Sequence, residues 1–146
     1  MSIVIVSDLF ARLVMNNDLT QFSDLYIQTA QDYIALMKKN IDLFLENSTK
    51  TSAVEQLFIA SHSLKSQSAV MGYTTTSEAS KLLEHLFRAV KENQLTLTKE
   101  MIAQAVLLIK KLEESIKMIA QTKKELDLTT DIKESRTMFP KTDASL

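Results

Sequence analysis

One glycine and one proline, Gly72 and Pro140, punctuate a chain of 146 residues. A chain of this length and average composition holds about ten glycines. Sheet proteins use Gly and Pro in their tight turns, where an unusual or a fixed φ is needed. A chain this poor in both is confined to long helices joined by short polar links. Its 45% of apolar residues is enough for a core, and its length suits one domain.

The helices can be read in order. Asp18, with Gln21 three residues on, reads as a capping box. The first long helix runs from there to about Glu46. Its core stripe is Phe22, Leu25, Tyr26, Thr29, Tyr33, Leu36, Met37, Ile41 and Phe44, at the spacing of a helix face. Asn47, Ser48 and Thr49 end it. The second helix opens near Thr51 and Ser52 and reaches Met71, where Gly72 stands as a left-handed C-cap. Thr75 and Glu78 read as a second capping box, opening a helix over roughly residues 77–91 with Ala79, Leu82, Leu83, Leu86 and Val90 inward. Thr98 caps a fourth helix that runs to about Lys124.

The expected fold is therefore all-α, an antiparallel four-helix bundle over residues 17–124. Two segments flank it. Residues 1–16 open on Ile3-Val4-Ile5-Val6 and continue with apolar residues at 9, 10, 13 and 14. They are expected to add a helical turn to the bundle, with a dimerisation or docking segment as the alternative. Residues 125–146 are rich in Thr, Lys, Asp and Ser, and the apolar pattern fades from Asp127. A flexible tail or linker is expected there.

Composition excludes several functions. A net charge of −1 leaves no basic footprint for nucleic acid. Without cysteine there is no disulfide framework and no thiolate metal site. One glycine cannot build a G-x-G-x-x-G or a P-loop, so no nucleotide site and no cofactor are expected. The Ile3 to Val6 run is too short to span a bilayer and has no basic leader. No membrane partner is expected, and the location read from these features is cytosolic.

The chemistry concentrates in the second helix. Val54, Leu57, Phe58, Leu64 and Met71 form its apolar stripe, with small Ser61 and Ser68 in the same register. At a helical advance of roughly 100° per residue, His62 points about 125° from the centre of that stripe, toward water. Lys65 lies one turn on. Ser66 and Ala69 continue the line of His62, and both are small. No second ligand stands one turn away, which argues against a metal site. A neutral imidazole near pH 7 is a good phosphoryl acceptor, and a cation three residues on offsets the charge of the group it takes.

His62-x-x-Lys65, small residues at Ser66 and Ala69, and Gly72-Tyr73 together resemble a histidine-containing phosphotransfer (HPt) domain. The pattern is most similar to the N-terminal phosphotransfer domain of the chemotaxis histidine kinases. The resemblance spans roughly residues 18–122. That family usually has Gly where this chain has Ser66, and often Gly near Gln67 and Ala69. The residues here stay small except at Gln67.

The resemblance implies that His62 is the phosphoryl acceptor and that Lys65 is within reach of the phosphoryl group. It implies that Glu84, from the next helix, binds one ring nitrogen and leaves the other as nucleophile. Lys81 stands where those kinases often carry a second histidine. Ser66, Ala69 and Lys81 are the expected partner-facing positions. His85 is a plain surface or interhelix histidine. The implied partners are a histidine kinase's catalytic domain and a response-regulator receiver domain, in a phosphorelay where His62 passes its group to a receiver aspartate. Such a chain is a carrier without kinase activity, standing free or as a piece of a larger kinase. The alternatives are a helical adaptor that docks a receiver or kinase without being phosphorylated, and a purely structural bundle.

Overall fold

The structure, a computed structural model, describes residues 8, 12, 19–47, 49 and 51–141. From residue 19 onward they form five helices: α1 Leu19–Glu46, α2 Thr51–Val70, α3 Thr74–Lys91, α4 Lys99–Thr122 and α5 Thr129–Met138. No strand occurs among the described residues. Of the N-terminal segment only Asp8 and Arg12 are described, both helical and exposed. The rest of that segment lies outside the described residues, as does Asp18 of the first capping box.

Cross-links between helices show the up-down order. Tyr26 and Thr29 of α1 bond to Ser68 and Gln67 of α2. Ser77, Glu84 and Lys91 of α3 meet Lys65, His62 and Glu55 of α2, in reversed sequence order. Lys38 of α1 pairs with Glu113 of α4 at 2.9 Å. Each helix of the bundle thus lies antiparallel to its neighbours, as the short links require. The core is one cluster that includes Tyr26, Met37, Leu57, Leu64, Leu83, Phe87, Leu108 and Leu112.

Three buried hydrogen bonds set how α2 is rotated. Tyr26 Oη lies 2.8 Å from Ser68 Oγ, and Gln67 accepts from Thr29 at 2.8 Å while donating to Tyr33 Oη at 3.1 Å. All of these groups are buried, where an unmet hydrogen bond is costly. With Gln67 and Ser68 turned toward α1, His62, Ser66 and Ala69 are left facing water. Gly72 ends α2 at φ 81°. The Tyr73 N–H donates to Ser68 O and the Gly72 N–H to Ala69 O, the bond pair of a Schellman cap.

Two expectations need correction. The α3 start is not closed by a Thr75–Glu78 box. Its N-cap is Tyr73, without a side-chain bond. The acidic cap comes from Glu125, fifty residues on in the chain. Its carboxylate accepts from the Thr76 N–H at 2.8 Å, the Thr75 N–H at 3.3 Å and Thr76 Oγ1 at 2.7 Å. A carboxylate there meets both the orphan N–H groups and the positive end of the helix dipole.

The second correction concerns the tail. Residues 127–141 are ordered, with α5 laid against α3 and α4. Leu128 and Ile132 are fully buried, and Phe139 nearly so. Leu128, Ile132, Ser135 and Phe139 make a single narrow helical stripe that average composition hides among polar neighbours.

Removing that stripe should be felt globally. Leu128→Ala is expected to cost about 2–5 kcal/mol in urea unfolding, the range for a buried leucine. A change within about 0.5 kcal/mol, the usual size for a solvated position, would mean that α5 does not belong to the core.

Candidate functional site

The α2–α3 seam carries the site. His62 projects from the middle of α2 with 51% of its side chain exposed. Its Nδ1 lies 2.8 Å from Glu84 Oε1 on α3. Since Glu84 is a carboxylate, Nδ1 holds the proton and donates it. Nε2 is the ring nitrogen that Glu84 leaves free. The Phe58 ring, one turn earlier on α2, stacks near the imidazole, with centroids 6.1 Å apart and planes 26° apart.

Glu84 is the buried member, with only 1% of its side chain exposed. It is enclosed in the seam between α2 and α3. A buried carboxylate must be met by positive charge and donors. His62 and Arg88 share Oε1, with Arg88 Nη2 at 2.7 Å. Lys65 Nζ stands 2.8 Å from Oε2 as an ion pair. Its approach falls outside hydrogen-bond geometry, so Oε2 has the charge of Lys65 beside it without a directed donor. Burial pushes the Glu84 carboxyl up, but Lys65 and His62 outweigh it and hold the group below the usual carboxylate range.

His62, Lys65 and Glu84, named from the sequence, thus converge within one cluster. Ser66 and Ala69 are exposed along the His62 line, and Ser66 Oγ donates to the His62 carbonyl at 3.1 Å. Lys81 does not join the cluster. It lines a groove of about 340 Å³ beside α3, with His85, Leu82, Arg136 and Phe139. His85 is half-buried there, and burial lowers its pKa.

The sequence reading leaves Arg88 out and takes Phe58 only as part of the apolar stripe of α2. Both had a signal: Arg88 is four residues after Glu84, the spacing of a helix ion pair, and Phe58 is four before His62. The guanidinium carbon of Arg88 lies 5.3 Å from the Phe58 ring centre and Lys91 Nζ lies 4.7 Å from it. Phe58 therefore backs the cluster as a platform for cations.

A solvent-facing imidazole held at Nδ1, with Nε2 open, suits exchange of a group with another protein. Residues 21–123 match the Hpt domain family. The chain belongs to that family. Hpt domains are phosphotransfer modules, so this chain works in phosphorelay signalling. It is 28% identical over 83 residues to the chemotaxis protein CheA of Bacillus subtilis, covering 57% of this chain and 12% of that protein. To CheA of Listeria monocytogenes it is 24% identical over 83 residues, 57% of this chain and 13% of that one. The matched part of this chain therefore spans about an eighth of these relatives' length. Among solved structures, it resembles the phosphorylated P1 domain of CheA3 in complex with CheY6 from R. sphaeroides. The TM-score is 0.73 at 18% identity, over 80% of this chain and 94% of that one. That likeness establishes a shared fold. No helix among the described residues is long and apolar enough to cross a membrane.

The state of Glu84 has a measurable consequence. Its folded pKa is lowered, so the stability it contributes is complete above its ordinary value of 4.5 and is lost as pH falls through the folded value. In unfolding titrations from about pH 7 down to about pH 3, the wild type should lose stability more steeply below that point than Glu84→Gln. Parallel curves would show that Glu84 is not held ionised in the folded state.

Proposed function

We propose that His62 is the phosphoryl acceptor of this Hpt domain, and that it takes the group from a receiver aspartyl phosphate or a kinase and returns it to a receiver aspartate. The observation that carries this is the Nδ1–Glu84 contact on a ring otherwise half open to water. It fixes the ring through Nδ1 and leaves Nε2 as the nitrogen that faces outward.

In the proposed step, Nε2 attacks phosphorus as the P–O bond to the donor breaks. The electron pair leaves with the donor's carboxylate, or with the nucleotide when the donor is a kinase. The Nδ1 proton stays on the ring, which becomes cationic, and Glu84 stabilises it. In the return step the cationic ring is the leaving group, which keeps the N–P bond reactive. Positioning and charge do most of the work in phosphoryl transfer. Lys65 supplies a cation beside the ring.

The donor and acceptor must approach the exposed side of α2. Ser66 and Ala69, small and on the His62 line, leave room for a receiver's acidic pocket. A receiver is the partner favoured here, in keeping with the CheY6 that the CheA3 P1 domain holds in its complex. A kinase donor follows from the family resemblance. With no kinase activity of its own, the chain is a carrier. Lys81, exposed and one turn before Glu84 on α3, stays a proposed partner-facing position beside the transfer site.

Incubation with a phosphorylated receiver should give acid-labile, base-stable label on the wild type and none on His62→Gln, while His85→Gln labels normally. His62→Gln should change unfolding free energy by about 1 kcal/mol or less, because the lost contact is half exposed. Label retained in His62→Gln would move the acceptor elsewhere. A folded wild type that takes no label from a receiver or a kinase would favour an adaptor.

Ala69→Arg should leave the bundle folded but slow transfer in both directions and weaken receiver binding. Glu84→Ala should slow labelling while receiver affinity stays near the wild-type value. Normal binding and transfer by Ala69→Arg would rule out docking along this line.

A further inference from the structure

The cluster around His62 holds one more cation than its carboxylate needs. Glu84 carries one negative charge, and Lys65 and Arg88 each approach one of its oxygens. Arg88 takes the same oxygen, Oε1, that accepts from His62 Nδ1. This sharing is the informative part. A carboxylate 2.8 Å from an imidazole favours the imidazolium. The imidazolium has no lone pair on Nε2 and cannot attack phosphorus. A site that orients the ring with a carboxylate therefore risks disabling it.

We propose that Arg88 is a positioning residue that offsets Glu84, so that the carboxylate fixes the His62 ring without trapping it as imidazolium and Lys65 is left to balance the incoming phosphoryl group. This rests on His62 being the acceptor. Arg88 is held for the task from two sides. Its guanidinium bonds Oε1 at 2.7 Å and its planar end lies near the face of Phe58, the same ring that stacks near His62. An always-charged guanidinium suits this role, since no pH near neutrality removes its charge.

The charges balance across the step. Before transfer, a neutral ring, one carboxylate and two cations leave one unit of positive charge. The transferred PO3 group brings one unit of negative charge as the Nε2–P bond forms and the donor's P–O bond breaks, its electron pair going to the donor's leaving group. The phosphorylated cluster is then neutral overall. Without Arg88 the cluster would begin neutral and end negative, which disfavours the phosphorylated state. It would also begin with the carboxylate unopposed at Oε1, which favours protonation of the ring.

The charged groups facing His62 are few. Lys65 comes from its own helix. Glu84 and Arg88 come from α3, with Lys81 and His85 on the turns beside them, and Lys91 of α3, paired with Glu55 of α2, lies against the Phe58 ring. Helices α1, α4 and α5 contribute no ion pair to the cluster among the described residues.

The test is an NMR titration of the two histidine rings in the whole chain, which needs no donor or receiver. In Arg88→Gln the His62 midpoint should rise by on the order of one pH unit. Arg88→Lys, which keeps the charge, should return it close to the wild-type value. Labelling by a phosphorylated receiver should then fall several-fold in Arg88→Gln at about pH 6.5 and approach the wild-type rate at about pH 9, where either ring is neutral. An unchanged His62 midpoint in Arg88→Gln, or an equal shift in Arg88→Lys, overturns the proposal. Failure of His62 as acceptor would appear separately, as a wild type that titrates as described but takes no label.

Discussion

A carboxylate enclosed between two helices cannot remain ionised unless positive charge and donors surround it. At the α2–α3 seam that requirement falls on Glu84, and it organises everything nearby. Lys65 and His62 reach it from α2, and Arg88 reaches it from one turn along α3. The outcome is a ring with one nitrogen held and the other open. The same enclosure makes the cluster directional. Its negative member is inside, and its cations and its imidazole stand at the rim.

The rest of the bundle serves to hold α2 and α3 in the rotation that keeps this seam together. On the α1 side, Gln67 and Ser68 are committed to Thr29, Tyr33 and Tyr26. Such buried polar pairs add little net stability, yet a helix turned away from them would leave every group unmet. They act as a register for α2, and His62 faces outward as a result. The tight link at Gly72 then returns the chain within three residues, so that α3 runs back along α2 and sets Glu84 opposite His62. Ser77 Oγ, donating to the Lys65 carbonyl at 2.9 Å, pins the start of that pairing.

The segment after α4 is tied into the same construction. Glu125 closes the α3 N-terminus, and Thr75 Oγ1 returns a bond to the Leu126 carbonyl at 2.9 Å. Leu128, Ile132 and Phe139 complete the core beside α3 and α4. The helix that carries Glu84 is thus braced at its beginning by a residue beyond the family match at 21–123. Strain or disorder in α5 would reach the site through α3, not through the exposed face of α2 that carries His62.

Sequence alone determined the helical class, the helix bounds to within a few residues and the outward aim of His62. Periodicity, the Thr98 cap and the lone Gly72 are local signals, and local signals are written in consecutive residues. Helical spacing put Lys65 beside the histidine, and the family resemblance added Glu84. Burial of Glu84, the sharing of its Oε1 by His62 and Arg88, the Glu125 cap and the order of α5 were decided only in the folded chain. Each depends on distances between residues far apart in sequence, and on which side of a helix the other helices cover. Residues 128–139 show the difference most plainly. Their apolar stripe is four positions wide at most, too narrow to stand out from polar neighbours, and it becomes part of the core because α3 and α4 leave a seam of matching width.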